Sequence, residues 1–247
     1  MSEATTGDAV CDAATIRAVC GRFSQAESSP RLAAIFGAEL DGDLPDGKYN
    51  VAPTDQIRIV VERRGDWLLT AADWGFRPFW RQRKGAPVPG WINAKAETAA
   101  ESPAFGRALR EQRCIIPAGA FYEWDRSHRP PQPYAIGPAQ AGGVLALAGV
   151  WTQTKQGELT TAAILTTGPN KVIERLHHRM PVIIDHENLQ AWLAADASLD
   201  EILPLFTPTR DDALRVWPVS TAVNSVRNDG PHLLQPIEGV ASTLGLA

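Results

Sequence analysis

Cysteine is scarce. Only Cys11, Cys20 and Cys114 occur in 247 residues, and no two stand at a metal-ligand spacing. An odd number without Cys/His clustering supports neither a disulfide framework nor a zinc site, so the three read as reduced thiols. Long apolar runs are missing as well: none approaches the ~18 residues that a membrane span needs. Met1 to Thr6 lack the basic start and apolar stretch of a signal peptide. The expected compartment is therefore the cytosol, with no membrane partner, no metal and no cofactor. Positive charge is also in short supply, 24 Lys and Arg against 28 Asp and Glu, a net charge of −4. That excludes a strongly basic nucleic-acid coating protein and leaves room for a local positive groove.

Apolar residues make up 44% of the chain and charged residues 21%, which suits a soluble fold with a sizeable core. Residues 1–19 are rich in Ala, Thr and Asp and show no sustained apolar period. They read as a disordered or spurious leader ahead of one domain over 20–247. A helix is expected from Ser29-Pro30, carrying Leu32, Ile35, Phe36 and Leu40 on one face before Gly42 and Pro45 break it. Ile57 to Val61 and Trp67 to Ala71 flank Arg63, Arg64, Gly65 and Asp66, the pattern of a hairpin with a short polar turn. A second helix follows Ser102-Pro103 and leads to a strand at Arg113 to Ile116. Further strands are expected at Val144 to Trp151, Thr160 to Thr167, Pro181 to Asp185 and Leu214 to Val219. Helices are expected near Asn170 to Leu176 and Glu187 to Ala194, and His128 to Pro138, with four prolines, reads as a loop. Strands outnumber helices without a regular βαβ alternation. The expected class is α+β, a mainly antiparallel curved or barrel-like sheet with peripheral helices.

Five segments combine reactive, polar and aromatic residues beyond what a plain core requires. They are Cys20-Gly21-Arg22-Phe23, Trp91-Ile92-Asn93-Ala94-Lys95-Ala96-Glu97-Thr98, Phe121-Tyr122-Glu123-Trp124, His177-His178-Arg179-Met180-Pro181, and Pro218-Val219-Ser220-Thr221-Ala222-Val223-Asn224. Free cysteines are usually small buried hydrophobes, the reading that suits Cys114 in its apolar strand. Beside Cys20, Gly21 allows close backbone approach, and Arg22 supplies a charge that favours a thiolate or holds a phosphate. Strand alternation leaves two orientations for Glu123, inward among rings with a raised pKa, or outward to solvent while Tyr122 and Trp124 pack inside. A lone histidine at a helix end is most often a cap, and His177 and His178 together are no metal signature. Asn93 reads by itself as a turn residue. Trp74, Phe76, Arg77, Phe79, Trp80, Arg81, Arg83 and Lys84 interleave rings and cations, a mixture that single-strand grooves use at roughly 1–3 kcal/mol of stacking per base. Here Trp74 and Phe76 read as partly structural.

As an ordered set, extended by Tyr49-Asn50-Val51-Ala52-Pro53 and Trp74-Gly75-Phe76, these segments resemble the SOS response-associated peptidase family, whose members cross-link themselves to abasic sites in single-stranded DNA. The resemblance runs from Cys20 to about Asn224. It implies that Cys20 is the mature N-terminus, whose amine forms an imine with the sugar aldehyde and whose thiol then closes a thiazolidine. It further implies that Glu123 handles protons, that His177 shuttles them or assists elimination of the 3′ phosphate, and that Asn93 orients the reactants. Arg22, Asn50, Trp74, Arg77, Arg81, Lys95 and Arg179 are the implied DNA contacts of a monomer. The family pattern has Ala-Arg after the asparagine where this chain has Ala94-Lys95, which keeps the charge and loses the bidentate fork.

A free amine at Cys20 conflicts with the nineteen residues written ahead of it. Two resolutions stand open: Val19 is the true translation start, or the leader is cleaved after synthesis, the sense that a peptidase name would take here. Two other functions also fit the residues, a cysteine hydrolase using Cys20, His177 and Glu123, and a non-covalent single-strand binding module with a structural Cys20.

Overall fold

The structure is a computed structural model that describes residues 20–78, 90–153 and 160–238. Cys11, Phe79, Trp80, Arg81, Arg83 and Lys84 lie outside them. In chain order the strands are β1 Phe23–Gln25, β2 Glu39–Leu40, β3 Lys48–Val51, β4 Gln56–Arg63, β5 Asp66–Trp74, β6 Asn93–Lys95 and β7 Arg113–Ala118. They continue with β8 Ala120–Asp125, β9 Gln132–Pro138, β10 Leu145–Gln153, β11 Thr160–Thr167, β12 Met180–Pro181 and β13 Leu214–Pro218. The α-helices are α1 Ser29–Phe36, α2 Ala96–Ala99, α3 Gly106–Glu111, α4 Leu189–Leu193 and α5 Leu199–Ile202.

The local signals act as expected in α1 and in the β4–β5 hairpin. Ser28 caps α1, Pro30 sits in its first turn, and Gly37 ends it in the left-handed region at φ 63°. That stop comes earlier than the Leu40 periodicity suggests, so Leu40 stands exposed on β2 beside β5. Residues 170–176 form turns instead of a helix: Glu174 N donates to Asn170 O and His177 N to Ile173 O, but these bonds are not consecutive, as a helical ladder requires. The expected strand at Pro181 to Asp185 is short because the chain changes partner. Val182 N donates to Leu165 O on β11, whereas Ile184 N donates to Ala146 O on β10.

The largest correction concerns His128 to Pro138. Most of it is β9, an interior strand bonded to β8 on one side and β13 on the other. Pro133 and Pro138 lie near its two ends, where missing N–H donors cost the ladder least.

The strands make two sheets, and the pairing is mainly antiparallel. One has five strands in the order β13-β9-β8-β1-β3. In the other, β11, β10, β7, β4 and β5 pair in turn, and β5 returns to β11 through the parallel pairs Asp73–Thr161 and Trp74–Ala162, closing the ring. Alternating residues of the ring strands feed two cores. Val60, Leu69, Ile115, Ala148 and Leu165 pack with the helices, including Leu32, Leu109 and Trp192. Ile57, Ile59, Val61, Cys114 and Leu147 pack with Phe23, Phe121 and Ile136 of the five-stranded sheet. Gln25 stitches the sheets together: its Nε2 donates to Arg58 O at 2.9 Å and Pro117 O at 2.8 Å, and its Oε1 accepts from Arg58 N at 2.8 Å. The α+β class with a curved, barrel-like sheet is the architecture observed.

Gly149 sits at a close approach within the ring, opposite Cys114 on β7 and Ile164 on β11. A Cβ there lies 2.8 Å from Cys114 Sγ and 2.9 Å from Ile116 Cδ1. Gly149→Ala is expected to destabilise the fold by about 1–3 kcal/mol, read as a lower denaturation midpoint at unchanged slope.

Candidate functional site

The five-stranded sheet brings the first two site residues together. Phe23 pairs with Phe121 across β1 and β8, and Glu123 pairs with Tyr134 across β8 and β9. With a side-chain period of two, Glu123 shares the face of Phe121 and Ile136, the face that meets the ring. Tyr122 and Trp124 point to the opposite face, which the segment around Val219, Val223 and Leu233 covers. Both orientations open to Glu123 in the sequence are thus decided by a covered sheet: the carboxylate is inside, only 5% exposed.

Cys20, just ahead of β1, is fully buried, and its backbone N–H donates to Glu123 Oε1 at 2.9 Å. Burial raises the Glu123 carboxyl to about 8, against the opposing pull of the Cys20 N–H and the Arg126 charge. Burial first, and the Glu123 carboxylate second, push the Cys20 thiol well above its ordinary value. Arg22 does not activate it. Its Nη1 donates to Asn50 Oδ1 at 2.8 Å and Val223 O at 2.9 Å, and its Nη2 to Asn224 O at 3.3 Å. Cys20 also holds φ at 47°, left-handed backbone that a side chain bearing a Cβ adopts at a cost.

His177 reaches the same region through the turn after β11. The preceding Leu176 and Ile92, the residue before Asn93, both pack against the cluster that contains Cys20 and Phe23. His177 Nδ1 accepts from Arg179 N at 3.1 Å, and its ring stacks on His178 with centroids 4.4 Å apart. Burial, then the neighbouring His178, lower the His177 pKa, and the cations Arg126 and Arg179 act in the same direction. Arg126, which no sequence signal marked, therefore bears on both Glu123 and His177. Asn93 opens β6, which runs parallel to β11 with Asn93 opposite Ile164 and Lys95 opposite Thr166. Lys95 is exposed.

The remaining predicted DNA contacts are dispersed. Asn50 is fully buried, its Nδ2 donating to Val223 O, Ser225 O and Asn228 O, so with Arg22 it clamps the C-terminal segment to β1 and β3. Trp74 is also fully buried, its ring edge-on to Phe23 at 4.9 Å and its indole N–H bonded to Ile92 O at 3.0 Å. It offers no face to a base; its work is in the core. Arg77 is half-buried and its backbone N–H donates to Thr161 Oγ1. Arg179 is held by Glu97 and Thr166. Arg81 lies outside the described residues. Among the described residues no group of three or more His, Cys, Asp or Glu could hold a metal ion, and no helix is long and apolar enough to cross a membrane.

Residues 19–226 match the family model described as SOS response associated peptidase (SRAP). The chain belongs to the SRAP family. This SRAP protein is similar to the abasic site processing protein YoqW of Bacillus subtilis (strain 168), 34% identical over 226 residues that cover 88% of this chain and 99% of YoqW. It is 29% identical to YedK of Escherichia coli (strain K12) over 227 residues, 89% of this chain and 100% of YedK. To HMCES of Gallus gallus it is 30% identical over 224 residues, 77% and 66% of the two chains. YedK and HMCES are likewise named abasic site processing proteins. Among solved structures a protein from Bacteroides thetaiotaomicron shares the fold with a TM-score of 0.77 at 23% identity, over 88% of this chain and 100% of that one.

The raised Glu123 carboxyl sets a pH signature. Its folded pKa near 8 lies above the unfolded value, so its contribution to stability is fully present below about pH 4.3 and is lost as pH rises through 8. Relative to Glu123→Gln, which does not ionise, the protein is expected to lose on the order of a few kcal/mol between pH 5 and pH 8. Denaturant titrations of both proteins at the two pH values measure the difference; parallel curves would contradict the buried carboxyl.

Proposed function

We propose that this SRAP protein binds abasic sites in single-stranded DNA and traps them covalently through Cys20, once Cys20 is the first residue of the chain. The observation that carries the reading is the 2.9 Å contact between Cys20 N and the buried Glu123 Oε1. With the preceding peptide bond gone, that nitrogen is an α-amine with an ordinary pKa of about 7.7–8.0, beside a carboxyl that burial raises toward it.

The steps balance through one proton on Glu123. The amine adds to the C1′ aldehyde of the ring-opened sugar to give a carbinolamine. Protonated Glu123 donates to the departing hydroxyl, releasing water and leaving an iminium. The Cys20 thiol then adds to C1′ and returns its proton to Glu123. The product is a five-membered ring of Sγ, Cβ, Cα, N and C1′, with water the only other product. The raised thiol pKa is consistent with this order, because the sulfur is asked to attack a strong electrophile rather than to start the reaction. From the same iminium, the Glu123 carboxylate, having given its proton to the departing hydroxyl, can instead take the C2′ proton as the 3′ phosphate leaves, a lyase side reaction that His177 assists by donating from Nε2–H to the departing phosphate, since its Nδ1 is an acceptor. Asn93 and the exposed Lys95 lie on the adjoining β6 to orient the sugar and meet phosphate.

Exposure of the amine is part of the proposal. With a residue ahead of it, Cys20 holds a left-handed φ of 47°, a strain of about 1–2 kcal/mol. An N-terminal residue has no φ, so cleavage of the Val19–Cys20 bond releases that strain. A hydrolase triad needs its carboxylate on the histidine; here Glu123 accepts from Cys20 N and His177 Nδ1 from Arg179 N.

The test is to incubate the natively expressed protein with single-stranded DNA carrying one abasic site. Intact mass should begin at Cys20, and a heat-stable adduct should form that Cys20→Ala abolishes and Glu123→Gln slows by about 10²–10⁴-fold. An adduct that survives Cys20→Ala, or one made by protein that retains residues 1–19, overturns the mechanism.

A further inference from the structure

Glu97 takes no part in the steps above, yet it sits where two of the site's side chains are joined. It lies in the first turn of α2, two residues beyond Lys95, and half of its side chain is exposed. Both of its oxygens are used: Arg179 Nη1 donates to Oε1 at 2.5 Å and Nη2 to Oε2 at 2.7 Å. Arg179 itself is only 14% exposed. Its Nη2 also donates to the Thr166 carbonyl and lies 3.3 Å from Thr166 Oγ1, which in turn donates to Ala94 O at 3.3 Å. Ala94 follows Asn93 on β6, and Thr166 stands opposite Lys95 on β11. From its main chain, Arg179 donates to His177 Nδ1 at 3.1 Å.

One guanidinium thus links the strand that carries Asn93 to the turn that carries His177. A bidentate fork fixes orientation as well as distance, which a single point contact does not. The main-chain bond also decides a tautomer, because a nitrogen that accepts from an N–H carries no proton. In the neutral ring the proton is then on Nε2. We infer that Glu97 is a positioning residue: by locking the Arg179 fork against Thr166 and Ala94, it sets His177 relative to Asn93 and keeps His177 as the Nε2–H tautomer. This inference rests on the reading of Asn93 and His177 as reacting partners of the sugar, given above.

The experiment separates the two. The 15N-labelled protein, free of DNA, is compared with Glu97→Gln and Glu97→Ala at about pH 8, where an imidazole is neutral, by two-bond proton–nitrogen correlation at His177. Adduct rates on abasic single-stranded DNA and melting temperatures are measured in parallel. In the parent protein Nδ1 should resonate as an unprotonated nitrogen and Nε2 as a protonated one. Glu97→Ala should mix the tautomers and slow the adduct by about 10–100-fold, and Glu97→Gln, which keeps one acceptor, should fall between. Glu97→Gln carries the comparison where Glu97→Ala does not fold. Unchanged tautomers in a folded variant overturn the inference, whatever the rate. A faster adduct in Glu97→Gln overturns it too, because Glu97 would then be competing with a DNA phosphate for the fork. If the parent protein forms no adduct, the reading of the site fails, and the tautomer comparison alone decides the role of Glu97.

Discussion

The buried hydrogen bond from Cys20 N to Glu123 Oε1 is the contact on which the site depends. It joins the start of β1 to the middle of the five-stranded sheet, and it does so on the face that meets the ring. A carboxyl this far from water favours its neutral form, and a neutral carboxyl can donate a proton. The same burial keeps the Cys20 thiol protonated. Neither group is reactive in the way an exposed copy would be; each is prepared by exclusion of water.

Much of the chain's unusual sequence maintains that exclusion. Arg22 and Asn50 bind the carbonyls of Val223, Asn224, Ser225 and Asn228, holding the C-terminal segment over the outer face of β8. Trp124 Nε1 adds a bond to Asn224 Oδ1 at 2.7 Å, and the Tyr122 hydroxyl one to Tyr49 O at 2.9 Å. With both faces covered, β8 cannot turn Glu123 toward solvent. Trp74 closes the other side against Phe23. Arg22, Asn50 and Trp74, which read as DNA contacts in the sequence, thus have intramolecular partners that shape the surroundings of Glu123.

The sequence made the hairpin at Ile57 to Ala71, the helix after Ser29 and the strand-rich class legible, because periodicity and turn chemistry are local. It made the candidate site residues legible only as an ordered set, since Cys20 and Glu123 lie 103 positions apart and meet through strand pairing. What local signals could not show was the partner of each polar group. Arg22 beside Cys20 reads as an activating charge until Asn50 and Val223 are seen to hold it. The proline-rich stretch before Pro138 reads as a loop because its place between β8 and β13 is a long-range fact. Glu97, in the segment Trp91 to Thr98, shows no role in the sequence, for its partner Arg179 is 82 residues away.

In the proposed mechanism, the pairing of an α-amine with a raised carboxyl explains why the carboxyl at position 123 is buried. Imine formation needs the amine neutral and the acid protonated at the same pH. An aqueous carboxyl near 4.3 beside an amine near 7.7–8.0 sits almost wholly as carboxylate and ammonium, with the proton on the wrong partner. Burial raises the carboxyl, to about 8 while Cys20 is still in peptide linkage, and so brings the two proton affinities closer. The pair then titrates as a unit, and the form with neutral amine and neutral acid becomes an accessible sharing of a single proton. In the proposed form that begins at Cys20 the ammonium pulls the carboxyl down, while Arg126 favours the carboxylate and disfavours the ammonium. Desolvation works against both charges together, so the burial of Cys20 and Glu123, more than any single neighbour, sets how much reactive pair is present.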